Sequence, residues 1–414
     1  MHSFYNVAIY SYSFLIKVSS IFNPKAKEWI KGRKNLFQRL QDKIDRDKPL
    51  VWFHCASLGE FEQGRPLIEA FHQSYPSFKI LITFFSPSGY NVRKNYIGAD
   101  YIFYLPADTP VNAKKFIEII KPKLVIFIKY EFWLNYLKEI HARDIALLLV
   151  SGIFRPQQVF FKWYGKIFRQ QLKAFSHFYV QNETSAQLLK NIGFDNVSAS
   201  GDTRFDRVET IAANSQPLHE IKTFCADKKV IIGGSVWPAD LKILEPFIQQ
   251  ASENFKFILA PHEVNRDIIS GLLEHYGDKA ITYTALKNRP QNDEKILIID
   301  IVGILSSVYQ FGWVAYIGGG FGVGIHNILE AAVYGIPVFF GPHYRKFQEA
   351  CDLIERGGAF PINSSDDLLR IILNADFEKN RNKVAKICKE YVLQNTGATK
   401  IVMQGINKII KNKG

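Results

Sequence analysis

The sequence predicts an α/β chain of two doubly wound halves facing a cleft, with a membrane-associated helix ahead of them. Three observations carry this. Short apolar runs rich in β-branched and aromatic residues alternate with amphipathic stretches, the pattern of βα units feeding a parallel sheet. The alternation pauses near GDTRFDRV (201–208) and restarts at KKVIIGGS. A chain of 414 residues is also too long for one hydrophobic core.

At the amino terminus, MHSFYNVAIYSYSFLIKVSSIF (1–22) is apolar and aromatic but interrupted by Asn6, serines and Lys17. It has neither the basic start nor the small-residue cleavage site of a signal peptide, and it is marginal as a span. With the basic WIKGRKNLFQRLQDK that follows, it reads as an interfacial anchor on an anionic leaflet. The alternative is an ordinary first helix. Strand-like runs come next: LVWFHCAS, KILITFFS, YIFYLPA, LVIFIKYE, ALLLVSG and HFYVQN, with helical stretches such as TPVNAKKFIEIIK between them. These make residues 23–205 the first domain and 206–226 a linker. KKVIIGGS, KFILAPHE, ILIID, VAYIGGG and IPVFFG define a second domain over 227–392, followed by a basic helical tail over 393–414.

Composition narrows the function. Hydrophobic residues make up 47% and charged residues 22%, which excludes a disordered chain. A net charge of +13 points to an acidic partner: nucleic acid, anionic lipid or a phosphorylated substrate. The basic residues are spread over both halves without aromatic interleaving in one groove, so nucleic acid is the weakest of these. Cys55, Cys225, Cys351 and Cys388 form no C-x-x-C pair and read as separate thiols in a reducing compartment.

The chemistry-bearing residues cluster at strand ends, where open α/β sheets bind ligands. HCASLGEFEQGRP (54–66) places Glu60 at a strand-to-helix corner, with Ser57 and Gly59 in the turn. Its role is either chemical or that of a first-turn acid favoured by the helix dipole. KPKLVIFIKYEFWLN (121–135) places Glu131 just past another strand; the alternative is a salt bridge to Lys129 or Arg65. Ser88 and Arg93 follow a third strand and Arg155 a fourth, scattered polar and cationic groups of the kind a polyanionic acceptor uses.

In the second half, YIGGGFGVGIHNILEAAVYGIPVFFGPH (316–343) runs from strand to glycine loop to a helix expected to begin near His326 or Asn327. Glycines such as Gly320 let amides approach a phosphate, and the helix start adds partial positive charge. Glu330, one turn in, can accept from both ribose hydroxyls. The loop matches neither G-x-x-x-x-G-K-[ST] nor G-x-G-x-x-G. Gly233, Gly234 and Ser235 follow another strand as an anion-binding or merely tight turn. APHEVNR (260–266) offers Pro261, His262 and Arg266. No D-x-D lies near a strand end and no cluster has metal-ligand spacing, so no metal and no cofactor is expected. A nucleoside-monophosphate leaving group fits that expectation.

In order along the chain stand S-L-G-E-F, P-A-D-T-P, E-F-W-x-N, G-D-T-R-F-D, G-G-S, A-P-H-E and H-N-I-L-E-A-A…G-P-H-Y-x-x-F. This ordered set resembles the Kdo transferases (3-deoxy-D-manno-octulosonic acid transferases) of lipopolysaccharide assembly over nearly the whole chain. The resemblance implies a GT-B glycosyltransferase of two Rossmann-like domains that inverts the anomeric centre. The donor would be CMP-Kdo and the acceptor a lipid A precursor at the cytoplasmic face of the inner membrane. Glu60 would be the catalytic base and Glu131 a second required acid. Gly233, Ser235, Pro261, His262, Arg266, Gly303, Gly320, Asn327 and Glu330 would surround the CMP-sugar, and Ser57, Gly59, Ser88, Arg93 and Arg155 the acceptor. The chain departs from the family pattern at Ser235-Val236-Trp237, Pro261-His262-Glu263, Gly303-Ile304-Leu305 and Ser86-Pro87-Ser88-Gly89. The second departure removes the family's phosphate-binding arginine, for which Arg266 is a substitute. A GT-B enzyme using a UDP-sugar and a non-enzymatic basic membrane or nucleic-acid binder are the competing readings.

Overall fold

The computed structural model describes residues 2–215, 217–289 and 293–413. Two compact units are present, Met1–Arg207 with Thr396–Gly414, and Val208–Asn395.

The first unit holds a seven-stranded parallel sheet in the order β3-β2-β1-β4-β5-β6-β7. Its strands are β1 (Leu50–Cys55), β2 (Lys79–Phe84), β3 (Tyr101–Tyr104), β4 (Leu124–Ile128), β5 (Ala146–Gly152), β6 (His177–Val180) and β7 (Val197–Ala199). Both faces are covered, which explains why the strands read as continuous apolar runs. Along β1, Trp52 enters one core with Val125 and Phe127, while Val51 and Phe53 enter the other with Ile82 and Ile126. Adjacent residues of a strand point to opposite faces, so one run of six buried residues serves two cores.

The helices that frame the first unit are α1 (His2–Ser19), α2 (Pro24–Arg33), α3 (Leu36–Lys43), α4 (Leu58–Ser74), α5 (Pro87–Arg93), α6 (Pro110–Ile120) and α7 (Leu134–Ala142). Their starts are written locally. Asn23 and Thr109 cap α2 and α6 with side-chain acceptors and Pro at the first turn, where its missing N–H costs nothing. Segment 1–22 contains α1, which is tied to the domain by Tyr5 Oη donating to Asp108 Oδ2 (2.6 Å) and Asn135 Nδ2 donating to Asn6 Oδ1 (3.0 Å).

The second unit holds another seven-stranded parallel sheet, β10-β11-β9-β8-β12-β13-β14. These are β8 (Lys229–Val236), β9 (Phe255–Pro261), β10 (Ala280–Thr282), β11 (Ile296–Ile298), β12 (Val314–Ile317), β13 (Val338–Phe340) and β14 (Ala359–Pro361). Its core packs Ile231, Phe257, Leu259, Ile298, Tyr316 and Phe339. Residues 206–226, read as a linker, carry the end of the helix Thr203–Ala213 and the helix His219–Cys225. After the helix Ala375–Gln394, the helix Ala398–Lys413 returns to the first unit. There Val402, Met403 and Ile406 enter the core with Ile68 and Phe71. Asp206 accepts from Gly397 N (2.5 Å) and Thr399 N (2.6 Å) at the entry to that helix.

Candidate active site

In the first sheet the strand order reverses between β1 and β4, and in the second between β8 and β12. At such switch points the following loops diverge and leave a crevice at the carboxyl ends of the strands. Glu60 and Glu131 follow β1 and β4, the Gly-Gly-Ser stretch lies at the end of β8, and the glycine loop follows β12.

Glu60 is the third residue of α4 and closes a capping box: Ser57 N donates to its Oε2 (2.9 Å), and Glu60 N donates to Ser57 Oγ (3.4 Å). The helix therefore begins at Leu58, earlier than the Phe61 that the apolar period suggests, because Ser57 supplies the cap. The structural role, that of a first-turn acid, is thus met by this carboxylate. Glu60 is half-buried. Burial, then the charge of Glu131, raises its pKa from 4.5 to about 6, against the lowering influence of His54, the Ser57 N–H and Lys129. A carboxylate near 6 is ionised at neutral pH and a better proton acceptor than an ordinary glutamate.

Glu131 lies just past β4 and is buried, 6% exposed. It is paired with neither Lys129 nor Arg65; Arg65 bonds Glu69 instead (2.7 Å). The partner of Glu131 is His54, whose Nε2 is 3.0 Å from Oε2; Trp133 Nε1 donates to the same oxygen. His54 is wholly buried, with Nδ1 2.8 Å from Thr83 Oγ1, which accepts from Trp52 Nε1 (2.7 Å). With its proton on Nε2, His54 donates to Glu131 and accepts from the Thr83 hydroxyl, satisfying every group in the row. Lys129, between β4 and Glu131, has φ +72, a conformation non-glycine residues adopt mainly where surrounding structure imposes it.

Among the other first-domain candidates, Ser57 is the α4 cap and Gly59 is exposed with open space around it. Ser88, in α5, bonds Ser86 (Oγ to Oγ 2.8 Å). Arg93 donates to Glu62 Oε1 (2.6 Å), a carboxylate it shares with Arg65 and Arg207. Arg155 is exposed, and its charge acts on Tyr130, the residue before Glu131.

In the second domain, Gly233 and Ser235 belong to β8 itself rather than to a turn after it. Ser235, at φ +52, forms a bulge in the pairing with β9. Gly234 leaves room for Tyr309, whose Oη would lie 1.8 Å from an added Cβ. The glycine loop after β12 is anchored by Asp240, 1% exposed. Its Oδ2 accepts from Gly319 N (2.8 Å) and Trp237 N (2.9 Å), and its Oδ1 from Tyr316 Oη (2.7 Å). Gly318 N donates to Gly234 O, and Gly322 N and Gly324 N donate to Gly319 O. The amides of Gly318, Gly319, Gly322 and Gly324 are thus committed to protein acceptors and do not form the open cradle the glycine count suggests. Gly320 approaches the chain after β13 so closely that a Cβ would lie 2.5 Å from Gly341 N.

The helix expected from Asn327 is also corrected: it is the single turn Leu329–Ala332, too short for an appreciable macrodipole. Asn327 accepts from Leu329 N (3.2 Å) and donates to Glu330 Oε1 (3.2 Å), bringing that pair together as the sequence suggests. Pro261 ends β9. Beside it, the His262 ring stacks on Trp237 (4.2 Å) and on His326 (4.6 Å), and Trp237 Nε1 donates to His326 Nε2 (3.1 Å). Burial and then neighbouring His262 lower the His326 pKa, which keeps that nitrogen free to accept. Arg266 is exposed at the first position of the helix Arg266–Tyr276, and Gly303, at φ +96, lies in the loop after β11. A cavity of about 1700 Å³ beside Tyr276, Lys279 and Lys295 lies at the opposite ends of β10 and β11 from these loops. Among the described residues no group of three His, Cys, Asp or Glu side chains is placed to hold a metal.

Sequence reasoning missed His54, Thr83, Asp240, Trp237 and His326. The available signal was a polar residue inside an otherwise apolar strand for the first two, and an acid three residues after Trp237 for the third.

Residues 32–207 match the family described as 3-Deoxy-D-manno-octulosonic-acid transferase (kdotransferase). A 3-deoxy-D-manno-octulosonic acid transferase of Rickettsia felis is 28% identical over 334 residues, 78% of this chain and 70% of that protein. One of Aquifex aeolicus is 26% identical over 362 residues, 84% of this chain and 92% of that protein. The UDP-GlcNAc 2-epimerase from Neisseria meningitidis, solved with UDP-GlcNAc, has a TM-score of 0.61 at 15% identity, covering 87% of this chain and 100% of that one. This last is a likeness of fold, that of paired parallel-sheet domains of the GT-B kind. The matched region contains both Glu60 and Glu131, and the similarity to Kdo transferases extends over most of the chain.

Proposed function

We propose that the chain transfers Kdo from CMP-Kdo to a hydroxyl of a lipid A precursor, inverting the anomeric centre. The acceptor oxygen bonds the ketosidic carbon, and the bond from that carbon to the cytidylate oxygen breaks with its electron pair leaving on CMP. Glu60 takes the acceptor proton as the new bond makes that hydroxyl acidic. The observation that carries this reading is Glu60 itself, a half-buried carboxylate raised to about 6 beside a second carboxylate at the β1/β4 switch point. Glu131, fixed by His54 and Trp133, acts on Glu60 through its charge. The loops after β8, β9, β11 and β12, with Ser235, His262, Arg266, Gly303, Asn327 and Glu330, hold the CMP part. The ring cluster of Trp237, His262 and His326 offers its face and edges where the family pattern has an arginine.

The acceptor is a membrane lipid in this reading, and α1 lies against the cytoplasmic leaflet of the inner membrane. Phe4, Val7, Phe14, Leu15, Ile21 and Phe22 are exposed in and just beyond α1, followed by Lys25, Lys27, Lys31 and Lys34, a pairing that favours an anionic lipid surface. Among the described residues no helix is long and apolar enough to cross a membrane.

The test is incubation with CMP-Kdo and a lipid A precursor, reading product mass. One or more Kdo additions are expected with the wild type and none with Glu60→Gln, which keeps its CMP affinity. CMP inhibits and UDP does not. Substantial turnover by the variant removes Glu60 from the role, and competition by UDP instead of CMP removes the donor.

A further inference from the structure

We propose that the cavity beneath α1 binds an anionic bilayer phospholipid, with one acyl chain inside and the phosphate on Lys17, Lys31 and Lys34. This deepens the membrane reading of α1 and rests on it. The cavity measures about 620 Å³, within the usual range for a site holding one small molecule. Its wall is largely apolar: Tyr10 of α1, Trp29 and Ile30 of α2, Phe37 of α3, and Pro106 and Val111 beside and in α6. Tyr10, Ser13 and Lys17 are spaced i, i+3, i+7, so α1 turns one continuous stripe toward it.

The charge around the cavity is one-sided. Lys17, Lys31, Arg33 and Lys34 line it, and no Asp or Glu does among the described residues. Arg33 is engaged, donating to the carbonyls of Phe85 (2.8 Å) and Leu105 (2.9 Å). The three lysines are exposed. None forms an ion pair among those found between described residues. Two lining residues also carry buried polar atoms without a hydrogen-bond partner, Ser13 Oγ and Trp29 Nε1. A bilayer, rather than free solute, is the source because Phe14, Leu15 and Val18 flank Ser13 and Lys17 on the same helix and are exposed. They gain from an apolar medium at the point where the chain enters.

The full-length protein is titrated with vesicles of phosphatidylcholine, with and without phosphatidylglycerol brominated on its acyl chains, in the absence of donor and acceptor. Bromine quenches indole fluorescence on contact. Quenching that requires the brominated phosphatidylglycerol and is lost in Trp29→Phe supports the site. Filling the cavity with Ser13→Phe abolishes the quenching, and Lys17→Glu/Lys31→Glu/Lys34→Glu weakens it by at least about fivefold per lysine. Equal quenching of the wild type, the filled variant and the charge-reversed variant overturns the proposal. So does stoichiometric displacement of the brominated lipid by a lipid A precursor, which assigns the cavity to the acceptor instead. Transfer assayed separately with detergent-dispersed acceptor shows whether the enzymatic reading stands when the lipid site fails.

Discussion

Replacing Glu60 with Gln should stabilise the first domain while abolishing transfer, and the gain should depend on pH in a defined way. Glu60 titrates at about 6 in the folded protein against 4.5 for an ordinary glutamate. The folded state therefore holds this proton more tightly than the unfolded chain does. Between pH 4.5 and about 6 the folded state carries more protons, so wild-type stability falls as pH rises through that window and stays lowered above it. The shift corresponds to at most about 2 kcal/mol. That figure already contains the offsetting pull of the Ser57 N–H and Lys129, and solvent at the half-exposed carboxylate trims it. Gln keeps the capping box, since its carbonyl can accept from Ser57 N, and it never ionises. Relative to wild type, the variant should show no gain below pH 4.5 and a rise in Tm of up to about 4–8 °C above pH 6. Calorimetry of the full chain across this range, following the first-domain transition, reads it. A gain equal at both ends, or a loss at neutral pH, refutes the claim that burial beside Glu131 holds Glu60 in a destabilised charged state.

Glu131→Gln removes the like charge that raises Glu60, so the acidic limb of kcat/KM should move to lower pH while kcat falls; a limb that stays in place refutes the coupling. His54→Ala leaves Glu131 buried with one donor fewer and should cost about 2–3 kcal/mol, read by denaturant unfolding. Gly318→Ala would place a Cβ 2.2 Å from the Ser235 carbonyl oxygen, and neither backbone can yield. It should destabilise the second domain by about 1–3 kcal/mol and weaken CMP binding, measured by titration calorimetry, by about tenfold or more. Chelation by EDTA should leave the transfer rate unchanged, and a rate restored by added divalent ion would contradict that.

Much of the architecture is legible because burial on two faces writes itself as apolar runs. LVWFHC, KILITF and LVIFI are strands in the structure as in the sequence. β7, β10 and β14 were not read. Each is a three-residue strand at a sheet edge, where half the pairing is absent and little apolar sequence is needed. Glu60 and Glu131 could be singled out because both follow strands directly. Their relationship could not, because it runs through His54, 77 residues from Glu131 along the chain. Asp240 is likewise 79 residues from the Gly319 amide it holds. The glycine loop misled for a physical reason: close-packed glycines serve backbone-to-backbone contact as well as anion binding, and here Gly318 and Gly320 face Ser235 and Gly341. The helix after it stops at Ala332, just before Gly335 and Pro337.

The return of residues 396–413 to the first domain bears on how the protein is made. Val402, Met403 and Ile406 complete a hydrophobic layer whose other buried members, Ile68 and Phe71 among them, leave the ribosome more than two hundred residues earlier. Throughout synthesis of the second domain that layer stays uncovered, a sticky surface on a nascent chain. A translation pause or premature stop in the second half would therefore damage the half already synthesised, and would leave a product prone to capture by chaperones or to aggregation.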